Sequence, residues 1–333
     1  MVIGERRSIV IVGAGQLGSR YLQGLATCSH RLRIQVVDPA PKALATAADR
    51  WTIVGGAGTC HEVSFHQGIG EVSRQVEIAI VATTALRRSE VVEAIGAHAD
   101  VGSWILEKVL AQGEDELCRI VAAVGASMAW VNTWGRSTPW YQQIRGSEAV
   151  GPIRFHLVGA SWGMACNAIH FLDLMCWWTG EDLVEVDAAG LDDEWLIAKR
   201  PGFMEISGDL FARYSGGSTG VLRAGRPPDP GISAGRDALD VLDVEWSSGR
   251  WQIERPTSEE DGLAIAADGR LLPGRIERQS ERSAALVDGL LEGSGCSLTD
   301  LPTSVAQHGI LIRALLARWR EVSGPDAECV PIT

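Results

Sequence analysis

No two cysteines stand at C-x-x-C spacing, and the seven present, at 28, 60, 118, 166, 176, 296 and 329, are odd in number. This excludes a disulfide framework and points to reduced thiols in a cytoplasmic protein with no metal site. Positive charge is also short. Thirty Lys and Arg against 42 Asp and Glu leave a net charge of −12. Nucleic acid is therefore excluded as a partner, and an anionic membrane would repel the chain. Residues 1–7 hold no apolar signal-type stretch. No apolar run approaches the roughly 20 residues that span a bilayer. Internal repeats and low-complexity segments are lacking.

What is there begins with a glycine loop. The run Ile9 to Val12 is four β-branched residues, the pattern of a strand buried on both faces. Gly13, Gly15 and Gly18 follow at the spacing G-x-G-x-x-G, and the sequence then reads as a helix to Ala26. Gly13 suits a tight turn, Gly15 lets a pyrophosphate approach the backbone, and Gly18 lets helix and strand lie close. Gln16 and Leu17 lie within that loop, and the helix, Ser19 to Ala26, offers free N–H groups at its N-terminus to phosphates. A second strand, Arg33 to Val37, ends in Asp38, 20 residues after Gly18. An acidic side chain there accepts hydrogen bonds from the adenosine ribose. The alternative is a nucleotide-free α/β domain with a glycine-rich turn.

With 333 residues, 46% hydrophobic and 22% charged, the chain has material for two cores. Helices are expected over 41–50, 89–97 and 114–124, and strands over 77–82, 104–106 and 127–131. Strand 77–82 leads into Thr83 and Thr84, where a parallel sheet lines its ligand crevice. Their hydroxyls suit cofactor contact or capping of the next helix. Strand 104–106 leads into Glu107 and Lys108. Past residue 183 the pattern turns to short alternating strands joined by tight glycine turns. The expected architecture is an N-terminal Rossmann domain, 1–126, followed by an α+β domain, 127–333, with a largely antiparallel open sheet. Two helices, 283–291 and 303–322, close the chain, with His308 on the last as a surface or packing residue. The Gly/Pro/Arg-rich stretch 225–237 reads as a loop bordering the substrate.

This order of motifs resembles the glucose–fructose oxidoreductase and inositol dehydrogenase family (Gfo/Idh/MocA). The family's Glu-Lys-Pro signature is Glu107-Lys108-Val109 here, so the proline, often cis, is missing. Asn132, Arg136, Pro139 and Tyr141 are similar to the family's entry into its substrate domain. His170 and Asp173 match the family's helix motif. Its first Asp falls on Cys166, beside Asn167. Residue i−3 shares a helix face with i, so Asn167 stands next to His170.

The resemblance implies hydride transfer between NAD and a carbinol carbon of a sugar, sugar nucleotide or cyclitol. Lys108, His170 and Asn167 are the implied catalytic set. Gly13, Gly15, Gln16, Leu17, Gly18, Asp38, Thr83, Thr84 and Glu107 would hold the cofactor. Lys108, Arg136, Trp162, Asn167, His170 and Asp173 would meet the substrate. Trp134, Trp140 and Trp162 are candidate walls for a sugar ring or core residues. Arg136, Arg145 and Arg226 suit a phosphate or carboxylate, or solvent. Asp38 followed by Pro39 and Ala40 favours NAD over NADP. An open sheet implies a homodimer or homotetramer joined through the second domain. Two other readings stay open: a non-catalytic NAD-binding regulatory or scaffold protein, and a reductase of a non-sugar substrate such as an imine or dihydrodiol.

Overall fold

The computed structural model describes residues 5–146, 151–160, 162–225 and 239–333. The expected loop 225–237, Arg226 included, lies outside them except for Gly225.

The first stretch alternates strand and helix: β1 (Arg7–Val12), α1 (Gln16–Leu25), β2 (Leu32–Val37), α2 (Pro41–Ile53), β3 (Glu62–His66), β4 (Gln75–Val81), α3 (Arg88–His98), β5 (Asp100–Leu106), α4 (Glu114–Val124) and β6 (Met128–Val131). Then come α5 (Pro139–Arg145), β7 (Arg154–Gly159), α6 (Met164–Thr179), β8 (Leu183–Asp187), β9 (Leu191–Ile197), β10 (Met204–Tyr214) and β11 (Thr219–Ala224). After these stand β12 (Val241–Trp246), β13 (Gly249–Glu254), β14 (Gly262–Ala266), β15 (Leu271–Gly274), α7 (Gln279–Glu292), β16 (Thr299–Asp300) and α8 (Leu301–Ser323).

The chain divides into two compact units. The first holds residues up to Ala111, Asp115–Asn132 and Glu277–Ser304, and the second holds Gln112–Glu114, Thr133–Ile276 and Val305–Thr333. This differs from a single cut after residue 126, for two reasons. Strand β6 is a further parallel strand of the first sheet, pairing with β5. Helix α7 returns to α1, where Leu286 and Val287 join Tyr21, Leu22 and Leu25 in one core. A Cβ at Gly24 would lie 2.4 Å from the Ser280 carbonyl oxygen, so only glycine permits that approach.

The first sheet runs β16-β6-β5-β4-β1-β2-β3, parallel except for β16. Its central strands β1 and β4 are buried on both faces, as continuous Ile/Val runs require.

The second sheet runs β15-β14-β13-β12-β7-β11-β10-β8, with β9 also paired to β10. It is antiparallel except where β7 and β11 run parallel. Helix α6, apolar nearly all round, packs on β8, β10 and β11. The other face is built of cross-strand ion pairs: Arg213–Glu185 at 2.5 Å, Arg223–Asp209 at 2.6 Å and Arg250–Asp243 at 2.5 Å. A concavity of ≈ 820 Å³ lies on this face, with Phe211 and Val221 among its lining. In α8, Leu311, Ile312, Leu315 and Leu316 are buried, and so is His308, which the sequence had left at the surface as one option. Among the described residues no helix is long and apolar enough to cross a membrane.

Candidate active site

In the first unit the three glycines do different work. Gly13 turns at φ +96°, and its Cβ would meet the Ala82 carbonyl at 3.0 Å. A Cβ on Gly18 would lie 1.7 Å from the Gly13 oxygen. Around Gly15 a Cβ would meet nothing within 4 Å, which leaves open space at the N-terminus of α1. No side chain caps that terminus, and Gly15 and Gln16 are exposed while Leu17 is half-buried. The Asp38 carboxylate braces this loop: Oδ2 accepts from Ala14 N–H at 2.7 Å and Oδ1 from Ala40 N–H at 2.9 Å.

Thr83 and Thr84 are half-buried at the end of β4. Neither caps α3, because Arg87 holds the N-cap position. Thr83 Oγ1 is buried with no protein partner among the described residues.

Glu107 departs from a cofactor-facing role. Its carboxylate is buried and turned inward, accepting from Tyr21 Oη at 2.6 Å and Asn132 Nδ2 at 2.7 Å. Asn132 Nδ2 also reaches Gln279 Oε1 on α7 at 2.8 Å. Burial pushes the Glu107 carboxyl above its ordinary range, while the hydrogen bonds from Tyr21 and Asn132 pull the other way. Tyr21 is pushed up by burial and by the Glu107 charge.

The loop after Glu107 is held by a buried guanidinium. Arg88 Nη1 donates to the carbonyls of Glu107 at 2.5 Å, Val109, and Leu110 at 3.2 Å, and Nη2 donates to the Thr83 carbonyl. The Lys108–Val109 peptide is cis, although Val109 is not proline. From Ser103 to Gly113 every residue is buried except Lys108. The clamp therefore presents one cation from an otherwise buried segment.

In the second unit, Asp173 on α6 is fully buried. It accepts from Thr133 Oγ1 at 2.8 Å and from Arg136, Nε at 3.2 Å and Nη2 at 2.5 Å. Arg136 is thus paired with Asp173 inside the unit. Asp173 is likewise engaged by Thr133 and Arg136 of its own unit. His170 is buried, its ring 4.8 Å from that of half-buried Trp134. Asn167 Nδ2 donates to the Trp162 carbonyl at 2.6 Å. Trp162 and Trp140 are core residues whose indole N–H groups donate to the carbonyls of Arg223 and Leu272. Arg145 stacks over Trp177 at 4.5 Å.

No family model matches the sequence, and no curated protein matches it. Solved structures do. UDP-N-acetylglucosamine 3-dehydrogenase from Acidithiobacillus ferrooxidans is 15% identical, with 95% of this chain and 98% of that one covered at a TM-score of 0.65. The scyllo-inositol dehydrogenase from Lactobacillus casei, with NAD(H) and scyllo-inositol bound, is also 15% identical, with 95% and 98% covered at 0.65. The transcriptional regulator Gal80p from Kluyveromyces lactis is 10% identical, with 95% and 90% covered at 0.68. This chain shares the fold of these proteins, two dehydrogenases and a regulator.

Within that fold, sequence reasoning missed Arg88, Tyr21, Thr133, Gln279 and Glu205. Glu205 on β10 caps α6, accepting from Ala165 N–H at 2.8 Å and Cys166 N–H at 3.2 Å. A carboxylate thus stands at the first turn of α6 although Cys166 itself carries none. None of these residues carries a local motif. Each is defined by partners distant in the sequence.

Proposed function

We propose that this chain is an NAD-dependent oxidoreductase acting on a carbinol carbon of a sugar, sugar nucleotide or cyclitol. The observation that carries the reading is Lys108. It is one of three lysines among 30 basic residues, and it alone leaves the buried segment that Arg88 clamps. Arginine stays protonated, whereas a lysine amine can hold an oxygen and exchange its proton.

The residues present fit NAD. The open space at Gly15, the uncapped terminus of α1 and the orphaned Thr83 hydroxyl would receive it. Asp38 keeps lone pairs for ribose hydroxyls and would repel a 2′-phosphate, which favours NAD over NADP. Bound there, the nicotinamide supplies the hydride acceptor or donor. In this reading Lys108 Nζ holds the substrate oxygen by a charged hydrogen bond. His170 takes or returns the hydroxyl proton, as an imidazole does near neutral pH. Asn167 orients the substrate or the imidazole.

NADH formation across free sugars, cyclitols and sugar nucleotides tests this reading. Turnover is expected with a member of one of these classes, and none in the Lys108→Ala variant. NAD binding without turnover would favour the second reading, a regulatory protein, which Cys166 in place of an acid supports.

A further inference from the structure

Three side chains of the first unit bring three kinds of metal-ligating atom to one point, at the end of α1 opposite the glycine loop. Cys28 and His30 lie in the turn between α1 and β2, and Asp288 lies on α7. Asp288 Oδ1 accepts from Cys28 Sγ at 2.7 Å and meets His30 Nδ1 at 2.8 Å. The Ser29 N–H donates to the same carboxylate, 3.0 Å from Oδ2. Sulfur, imidazole nitrogen and carboxylate oxygen all lie within 4.8 Å of one another. The side chains of His30 and Asp288 are 27% and 20% exposed, so an ion can enter from solvent. His61 is not one of the three, and its Nδ1 accepts from the Leu32 N–H at 3.2 Å.

We propose that Cys28, His30 and Asp288 form a zinc site with water in the fourth position, against the expectation from sequence that the chain carries no metal. A thiol is a weak hydrogen-bond donor, so a cluster built only for hydrogen bonds gains little from sulfur. A thiolate beside an imidazole and a carboxylate is the donor set of zinc rather than of magnesium or calcium. The charges close: thiolate and carboxylate balance the dication. On binding, the Cys28 S–H bond breaks, a sulfur–zinc bond forms, and the proton passes to water. Zinc–ligand bonds of about 2.0–2.3 Å in a tetrahedron set the ligand atoms about 3.3–3.6 Å apart, so loading lengthens the two contacts of Asp288, at 2.7 and 2.8 Å, by less than about 1 Å. The Ser29 N–H orients the carboxylate from outside, as outer partners do in metal sites.

Three protein ligands leave the zinc one open position, and in this proposal the ion braces the fold. Cys28 and Asp288 are 260 residues apart in sequence. Zinc would fasten the late helix α7 to the turn after α1. That helix also carries Gln279, which reaches Asn132 beneath the Lys108 loop.

The test uses the full chain without a histidine tag, dialysed against metal-free buffer. Zinc content is measured by mass spectrometry, affinity for Zn²⁺ by competition with a chromophoric chelator, and Tm with and without added Zn²⁺. One zinc per chain and a Tm raised by Zn²⁺ are expected. Outer-sphere partners shift metal affinity by 10–100-fold, so loss of a ligand in Cys28→Ser or His30→Asn should cost about 100-fold or more. The partly exposed His30→Asn keeps the test valid if Cys28→Ser does not fold. A wild type whose Tm ignores Zn²⁺, or a folded His30→Asn variant with undiminished affinity, would overturn the proposal.

Discussion

Asn132 and Thr133 are consecutive, yet Asn132 donates to Glu107 at 2.7 Å and Thr133 donates to Asp173 at 2.8 Å. Both acceptors are buried carboxylates, one in each unit. Each lies beside a candidate catalytic residue: Glu107 precedes Lys108, and Asp173 follows His170 by one helical turn.

Removing either donor leaves a buried carboxylate short of a partner. Asn132→Ala and Thr133→Val should each destabilise the protein by about 1–3 kcal/mol, read from denaturant unfolding. A stability change under a few tenths of a kcal/mol in either variant would remove that residue from the support of the site.

Lys108→Ala should abolish turnover while NAD affinity and Tm stay nearly unchanged. His170→Ala should lower turnover by about 100-fold or more, the size of a general acid–base contribution. Because both act on one oxygen in the proposed reaction, the double variant should be little worse than the worse single one. Full activity in a folded Lys108→Ala protein would end the proposed mechanism.

The Arg88 guanidinium serves four carbonyls in the buried interior. Arg88→Met should therefore cost about 3–5 kcal/mol, since it strips the charged donor from a buried network. Where the variant still folds, loss of turnover should exceed loss of NAD affinity. A variant with wild-type stability would show that the clamp is dispensable.

Burial holds the Glu107 carboxyl above its usual value, against the hydrogen bonds of Tyr21 and Asn132. Its folded pKa thus exceeds its unfolded one, so its contribution to stability is greatest in acid and is lost as pH rises through the folded value. Glu107→Gln lacks this dependence. The Tm of the wild type minus that of Glu107→Gln should therefore rise as pH falls from 7 toward the ordinary carboxylate range. A difference that shrinks on acidification would contradict the assignment.

The open face of the second sheet carries charged pairs around Phe211 and Val221. If this face joins copies of the chain, light scattering at micromolar concentration should give a dimer or tetramer. Arg213→Glu, which sets like charges on Arg213's partner Glu185, should shift it toward monomer. A wild-type monomer would count against assembly through the sheet.

The glycine loop and Asp38 were legible because their physics is local. Turn, close approach and strand end follow from residues near in sequence. Helix α4 falls on the expected residues, 114–124. Strand β3 was missed because it lies at the sheet edge, half-buried, with only Val63 and Phe65 apolar among its five residues. Arg88 was illegible for another reason. It adjoins Arg87, whose side chain is 71% exposed, and no spacing tells the buried arginine from the solvated one. Glu107 was assigned to the cofactor by its motif. Tyr21, 86 residues away, is what turns it inward.

The return of residues 277–304 to the first unit bears on how the chain folds during synthesis. About 145 residues of the second unit leave the ribosome between Asn132 and Glu277. Helix α7 follows Leu25 by about 260 residues, so at roughly 5–20 residues per second the Leu25 face of α1 waits roughly 13–50 s for α7 to cover it. Over that interval the nascent chain exposes an apolar surface that only its own late segment can close, a window in which chaperones would find it.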